Sequence, residues 1–202
     1  MLTMFAERGP RMVNLGYFGH MWELYALWTW IPAYLLHSRA AGQLGDARSL
    51  LVFVSMGLFG LAGCLVGGWA ADRFGRRAAA VAALSVSGAC CVLSPLAFLA
   101  PASVVAIFCA VWGASVIADS GVFSTALSEV ADSRFVGTAL SAQTAIGFAL
   151  TVVSIQLTPL VAALASWQYA FLLLVPGPVL GAVAMSRHGR ARPEPVTRVG
   201  GS

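Results

Sequence analysis

Two stretches of this chain are almost free of charge, and each is too long to cross a membrane only once. Between Arg134 and Arg187 there is no Asp, Glu, Lys or Arg, and from Ala78 to Ser128 the only one is Asp119. A bilayer core about 30 Å thick is crossed by roughly 20 residues of helix, so each stretch holds two crossings and a turn. The sequence places the turns at Ala100-Pro101-Ala102-Ser103 and at Pro159 through Ser166. A membrane barrel would instead alternate apolar and polar residues in segments of about ten, and open sheet edges are not tolerated in lipid. Helices are the remaining solution. A soluble domain is excluded on the same ground: about a quarter of its residues would be charged, against 10% here with 59% hydrophobic.

The fold expected is an all-α, polytopic membrane helix bundle with six transmembrane helices, over about 14–36, 50–71, 78–99, 103–127, 136–159 and 167–186. Residues 1–13 read as a cytoplasmic N-terminal segment, 14–186 as the transmembrane domain and 187–202 as a basic cytoplasmic tail. Spans one to three and four to six are nearly equal in length. Because three is odd, the second block is inverted relative to the first, which gives two inverted three-helix repeats of the kind found in secondary transporters.

Arginine placement gives the orientation. With both termini on one side, that side holds Arg8, Arg11, Arg73, Arg76, Arg77, Arg134, Arg187, Arg190, Arg192 and Arg198, and the other only Arg39 and Arg48. Positive residues stay inside, so both termini are expected in the cytoplasm of a cell whose inner membrane holds the chain. The net charge of +4 is thus a topology signal, and no nucleic-acid partner is expected. Glu7, Arg8 and Arg11 interrupt the N-terminus, which does not read as a cleavable signal peptide. Cys64, Cys90, Cys91 and Cys109 lie inside spans without metal-ligand spacing, and read as small apolar fillers.

Ionisable residues at membrane depth are costly and face a cavity or a partner. Three occur: His20 and Glu23 in the first span and Asp119 in the fourth. His20 and Glu23, three apart, share a helical face with Gly16 and Leu27, with Trp30 close by. Asp119 shares a face with Trp112, Ser115 and Phe123. At 1.5 Å rise per residue, Glu23 lies roughly 13 Å and Asp119 roughly 12 Å from the cytoplasmic ends of their spans. Matching depth suggests one shared site, a substrate or proton pathway of Glu23, His20, Asp119, Tyr17, Trp30 and Ser115. The alternative is that each carboxyl is hydrogen-bonded glue between helices, and that the aromatic rings and His20 are packing. Gln143 and Gln156 are expected to bond neighbouring helices, and Gly57, Gly60, Gly63 and Gly67 to form a close-packing ridge.

The loop after the second span reads Gly68-Trp69-Ala70-Ala71-Asp72-Arg73-Phe74-Gly75-Arg76-Arg77. Read from its residues, Gly68 allows close helix approach, Asp72 sits beside arginines at the water boundary, and Gly75 supports a tight turn. The arginines either latch the cytoplasmic face as a gate or serve topology alone. The loop resembles the motif Gly-x-x-x-Asp-Arg-x-Gly-Arg-Arg of the major facilitator superfamily, matching at Gly68, Asp72, Arg73, Gly75, Arg76 and Arg77. Asn14-Leu15-Gly16-Tyr17-Phe18-Gly19-His20-Met21-Trp22-Glu23-Leu24-Tyr25 resembles the seventh helix of bacterial nitrate/nitrite- or cyanate-type members, and Arg134-Phe135-Val136-Gly137-Thr138-Ala139-Leu140-Ser141 the start of their eleventh.

The resemblance implies the C-terminal six-helix half of a twelve-helix transporter. That half would carry a small-molecule or ion substrate, sit in the lipid bilayer, and pair with a second six-helix half or with itself. The rival is a non-transporting remnant that needs a partner half. No catalytic residues, cofactor or metal site are expected: no phosphate-binding loop or zinc-binding His-Glu-x-x-His run occurs, and no serine–histidine pair is suitably placed for an intramembrane protease.

Overall fold

The computed structural model describes residues 7–188, and every described element is helical. The first six residues and those after His188, with Arg190, Arg192, Arg198 and most of the basic tail, lie outside the described residues. The chain opens with α1, Arg8–His37. Its Pro10 stands in the first turn, where a missing N–H leaves no gap. A short α2, Ala41–Leu44, ends at Gly45 with φ 47°. Next come α3, Ala47–Phe74, and α4, Arg76–Ala97, joined by Gly75 alone. Gly75 has φ 89°, a conformation that side chains other than glycine rarely adopt.

After Pro101 the chain forms α5, Ala102–Ala118, and α6, Ser120–Val130. These are two halves of one apolar rod, interrupted at Asp119 by φ −100° and ψ 0°. Then come α7, Val136–Leu164, and α8, Trp167–Ala170, capped by Ser166 Oγ accepting from Gln168 N at 3.1 Å. A 3-10 turn, Phe171–Leu174, leads into α9, Pro176–His188.

Among the described residues five rods are long and apolar enough to cross a membrane: Ala47–Phe74, Arg76–Ala97, Ala102–Val130, Val136–Leu164 and Trp167–Arg187. The sixth expected span, α1, is 30 residues long but does not meet the apolar condition. Asn14, His20 and Glu23 lower its hydropathy, and all three are buried inside the bundle. The turn expected from Pro159 to Ser166 is narrower, because α7 runs through Pro159 to Leu164 and only Ala165 and Ser166 turn. Proline cannot donate to the carbonyl four residues back, here Ile155. Trp30 Nε1 donates to that oxygen instead, at 2.8 Å, so the helix continues. Pro95 in α4 is treated likewise: the Cys91 carbonyl accepts from Ser94 Oγ at 2.8 Å.

The rods run antiparallel. At one end of the bundle Arg76 bonds Glu129, Gly9 lies beside Val130, and Met185 shares a groove with Asp72. At the other, Arg39 N donates to Phe98 O at 2.9 Å, Ala102 N to Gln43 Oε1 at 2.9 Å, and His37 stacks on Trp167. Small residues bring backbones together. A Cβ on Gly60 would meet Ile117, and one on Gly63 or Gly67 would strike the backbone of Ala114 or Ala118. Gly57 differs from its expected place on that ridge, for its Cβ would touch only Phe53 of the same helix. Opposite Gly113, α3 forms a π-turn over Phe53–Leu58, and a Gly113 Cβ would strike the Ser55 carbonyl.

Candidate functional site

The buried polar residues of α1 all find partners across the bundle. His20 Nδ1 lies 2.9 Å from Asp119 Oδ1, and the two side chains are 3% and 2% exposed. His20 Nε2 lies 3.3 Å from Ser120 Oγ. One turn further on, Glu23 Oε1 accepts from three donors: Trp112 Nε1 at 2.7 Å, Cys91 Sγ at 3.2 Å, and Ser87 Oγ. Ser87 and Cys91 are four apart on α4 and so present one face to α1. Asn14 Oδ1 accepts from Gln143 Nε2 of α7 at 2.8 Å, the interhelical bond expected of that glutamine.

His20, Glu23 and Asp119 therefore form one cluster, although Glu23 and Asp119 hold different partners. Tyr17 joins it through its ring, 6.3 Å from the His20 ring and 6.1 Å from Phe123. Ser115 is buried one turn before Asp119, and its hydroxyl donates to Trp112 O of its own helix at 3.0 Å. Trp30 is not brought to the cluster: its indole serves the Ile155 carbonyl, and its ring packs on Trp167 at 5.6 Å. The cluster sits at the break between α5 and α6. Asp119 Oδ2 is buried without a hydrogen-bond partner among the described residues.

The charged loop lies at the end of the bundle where Arg76 meets Glu129. Arg76 grips Glu129 with two of its three guanidinium nitrogens: Nε donates to Oε1 at 2.9 Å and Oε2 at 3.0 Å, and Nη2 lies 2.7 Å from Oε1. The bond ties the start of α4 to the last turn of α6. Asp72 makes no ion pair with the arginines among the described residues; it lines a groove of about 400 Å³ with Gly75, Arg76, Arg77 and Glu129. Gly68 does not carry the close helix approach expected of it, since a Cβ there would meet open space. Its neighbour Gly67 makes that approach. Arg73 is exposed. Past α6, Arg134 holds the exposed Asp132 carboxyl below the usual carboxylate range by hydrogen bonds from its side chain and backbone.

Sequence reasoning missed Ser87, Cys91, Ser120 and Glu129, and saw Trp112 only as a neighbour of Asp119. Glu129 had a signal, being one of few acids at the end of a span on the arginine-rich side. The donors to Glu23 had none, because neutral side chains within apolar helices show no pattern that singles out one carboxylate. Of the cysteines expected in the interior, Cys90, Cys91 and Cys109 are buried, whereas Cys64 is exposed on α3.

An all-helical bundle with five membrane-length apolar rods and ionisable side chains sealed at its centre is a multi-pass membrane protein with the make-up of a transporter. The chain belongs to the Major Facilitator Superfamily, whose model matches residues 12–201. It is therefore a membrane transporter by family. No curated protein matches the chain.

Proposed function

We propose that the chain moves a small solute across the cytoplasmic membrane by alternating access, coupled to an ion gradient, as one six-helix wall of a facilitator-type transporter. The observation that carries this is the buried cluster of His20, Asp119 and Glu23 at the joint of a broken rod. Broken membrane helices with buried charge are where transporters hold coupling ions and substrates.

In this reading α1 crosses the membrane as well, which makes six spans with α1 the first. Thirty residues of helix reach about 45 Å, enough to cross, and its polar groups face inward. The inverted-repeat arrangement is supported by the packing pattern. The first rod packs on the fifth and sixth, the fourth packs on the second and third, and the third meets the sixth. Exchanging the first three rods with the last three reproduces that pattern. The arginine excess at the end holding Arg76 supports a cytoplasmic placement of both termini. The grip of Arg76 on Glu129 supports a gating role for the loop of Gly68, Asp72, Arg73, Gly75, Arg76 and Arg77.

A second reading, a non-transporting wall that needs a partner half, is favoured by the burial of the cluster within a single bundle. A solute would reach these side chains only if the bundle opened against a second six-helix unit, either a separate chain or a second copy. The test is transport in proteoliposomes, with the chain alone and with a separate half. Glu23→Gln and Asp119→Asn are expected to insert normally and to lose coupled transport. Full activity in both variants overturns the shared site, and absence of transport in every pairing of the wild type favours the second reading.

A further inference from the structure

The joint at Asp119 separates two kinds of outer surface on one rod. Before it, α5 exposes Val104, Ile107 and Val111, as suits lipid. After it, α6 exposes Gly121, Ser124, Thr125 and Ser128, and among the described residues no large apolar side chain between Val111 and Phe135 is exposed. By contrast, α3 exposes Leu61, Leu65, Val66 and Trp69. A hydroxyl-bearing face at membrane depth belongs to a cavity and not to hydrocarbon. The first half of α7 continues that surface, for Thr138, Ser141 and Thr144 are exposed on it.

An aromatic corner adjoins these hydroxyls. Ser120 meets His20, whose ring lies against Tyr17, and Thr144 stands at the Tyr17 hydroxyl. One turn past Thr144, Phe148 packs on Tyr25 at 5.3 Å, and Tyr25 packs on Trp28 at 5.7 Å. The interplanar angles are 48° and 66°, so the three rings form a corner and not a closed stack. Trp28 is 39% and Phe148 46% exposed, which leaves ring surface open beside the hydroxyls. Apolar and aromatic walls with a few polar groups that fix orientation are the usual make-up of a small-molecule site.

Charge decides what such a site can take. The chain has no lysine, and no arginine lies between Arg11 and Arg39, between Arg77 and Arg134, or between Arg134 and Arg187. His20, the imidazole at the patch, is turned to Asp119 at 2.9 Å. A small anion such as nitrate or cyanate therefore finds no free cation on this wall. Glu23 and Asp119 are each 1% exposed, and both are engaged by side chains of the bundle. An organic cation would have the aromatic faces alone, and their attraction is weaker than the cost of stripping water from a charge. A neutral ring is stacked by the same aromatics at no such cost.

We propose that this wall binds an uncharged ring-shaped solute bearing amide or hydroxyl groups, stacked on Tyr25, Trp28 and Phe148 and hydrogen-bonded by Tyr17, Thr144 and Ser120. This deepens the transport reading above, names its substrate class, and rests on it for its purpose. The experiment is proton saturation-transfer NMR on the full chain in lipid nanodiscs, with empty nanodiscs as the blank. The probes are uracil and glucose as neutral rings and tetramethylammonium as a cation, with nitrate and cyanate added as competitors.

Saturation is expected to reach at least one neutral ring, to miss tetramethylammonium, and to persist in excess nitrate or cyanate. Trp28→Ala and Phe148→Ala should weaken binding by about fivefold or more, the usual effect of removing a stacking ring. Thr144→Val should weaken it too, whereas Leu65→Ala, on the apolar face of α3, should leave it unchanged. Unfolding temperatures of the variants show that the bundle is intact. Saturation of neither ring, equal saturation of tetramethylammonium, or displacement by nitrate or cyanate overturns the uncharged class. Binding that survives both ring variants, or falls equally in Leu65→Ala, overturns the site. The readout needs no transport. Saturation without transport in any pairing would overturn the transport reading alone, and transport that both ring variants leave unaltered would overturn this site alone.

Discussion

Two indoles show how single side chains make polar backbone and charge tolerable in a membrane bundle. Trp112 directs its N–H at the Glu23 carboxylate, and Trp30 directs its own at the carbonyl that Pro159 leaves open. Hydrogen bonds to charged groups are worth about 1.5–3 kcal/mol, neutral ones about 1 kcal/mol. Trp112→Phe is accordingly expected to lower stability by about 1.5–3 kcal/mol, and Trp30→Phe by about 1–3 kcal/mol through the orphaned Ile155 carbonyl. Unfolding in detergent measures both. Transport separates them, since only Trp112→Phe disturbs the cluster; equal loss of transport in the two variants would contradict this division. His20, Glu23 and Asp119 were legible in the sequence because charge inside an apolar run stands out. Their pairing was not, because it depends on which helix faces which. Depth along the spans put Glu23 and Asp119 at one level, yet the imidazole, not Glu23, meets Asp119.

Elements are held together where glycine lets backbones approach. Gly63 and Gly68 lie five apart on α3 and serve opposite purposes. A Cβ on Gly63 would strike the Ala114 backbone, and one on Gly68 would meet open space. Gly63→Ala is expected to destabilise by about 1–3 kcal/mol through overpacking. Gly68→Ala is expected to be neutral, or to stabilise by up to about 1 kcal/mol through helix propensity. Thermal unfolding of the two variants checks the contrast, and equal effects would refute it. The five apolar rods follow from the hydropathy of the chain. Three features did not follow. The break at Asp119 changes one residue's ψ without changing hydropathy, the π-turn of α3 answers Gly113 of a different helix, and Pro159 ends nothing because its missing bond is replaced from α1.

At the scale of the whole molecule, Arg76 and Glu129 pin the start of α4 to the end of α6 across the charged face. Both side chains are partly exposed, so the pair adds little to stability, under about 1 kcal/mol. Its expected effect is on the balance between conformations. Arg76→Glu should lower transport strongly with little change in unfolding temperature, and Arg76→Glu combined with Glu129→Arg should recover much of it. A double variant as inactive as the single one would leave the loop with topology alone. The bundle also joins its first helix to its last: α1 packs on α7 and α9, and its Gly19 backbone meets that of Gly177. During synthesis this rod emerges before the other five described rods, and the surfaces that bury Asn14 and satisfy Trp30 are made more than a hundred residues later. Until then those polar groups lack their partners, and a nascent chain stalled after α6 should leave α1 unsettled in the membrane.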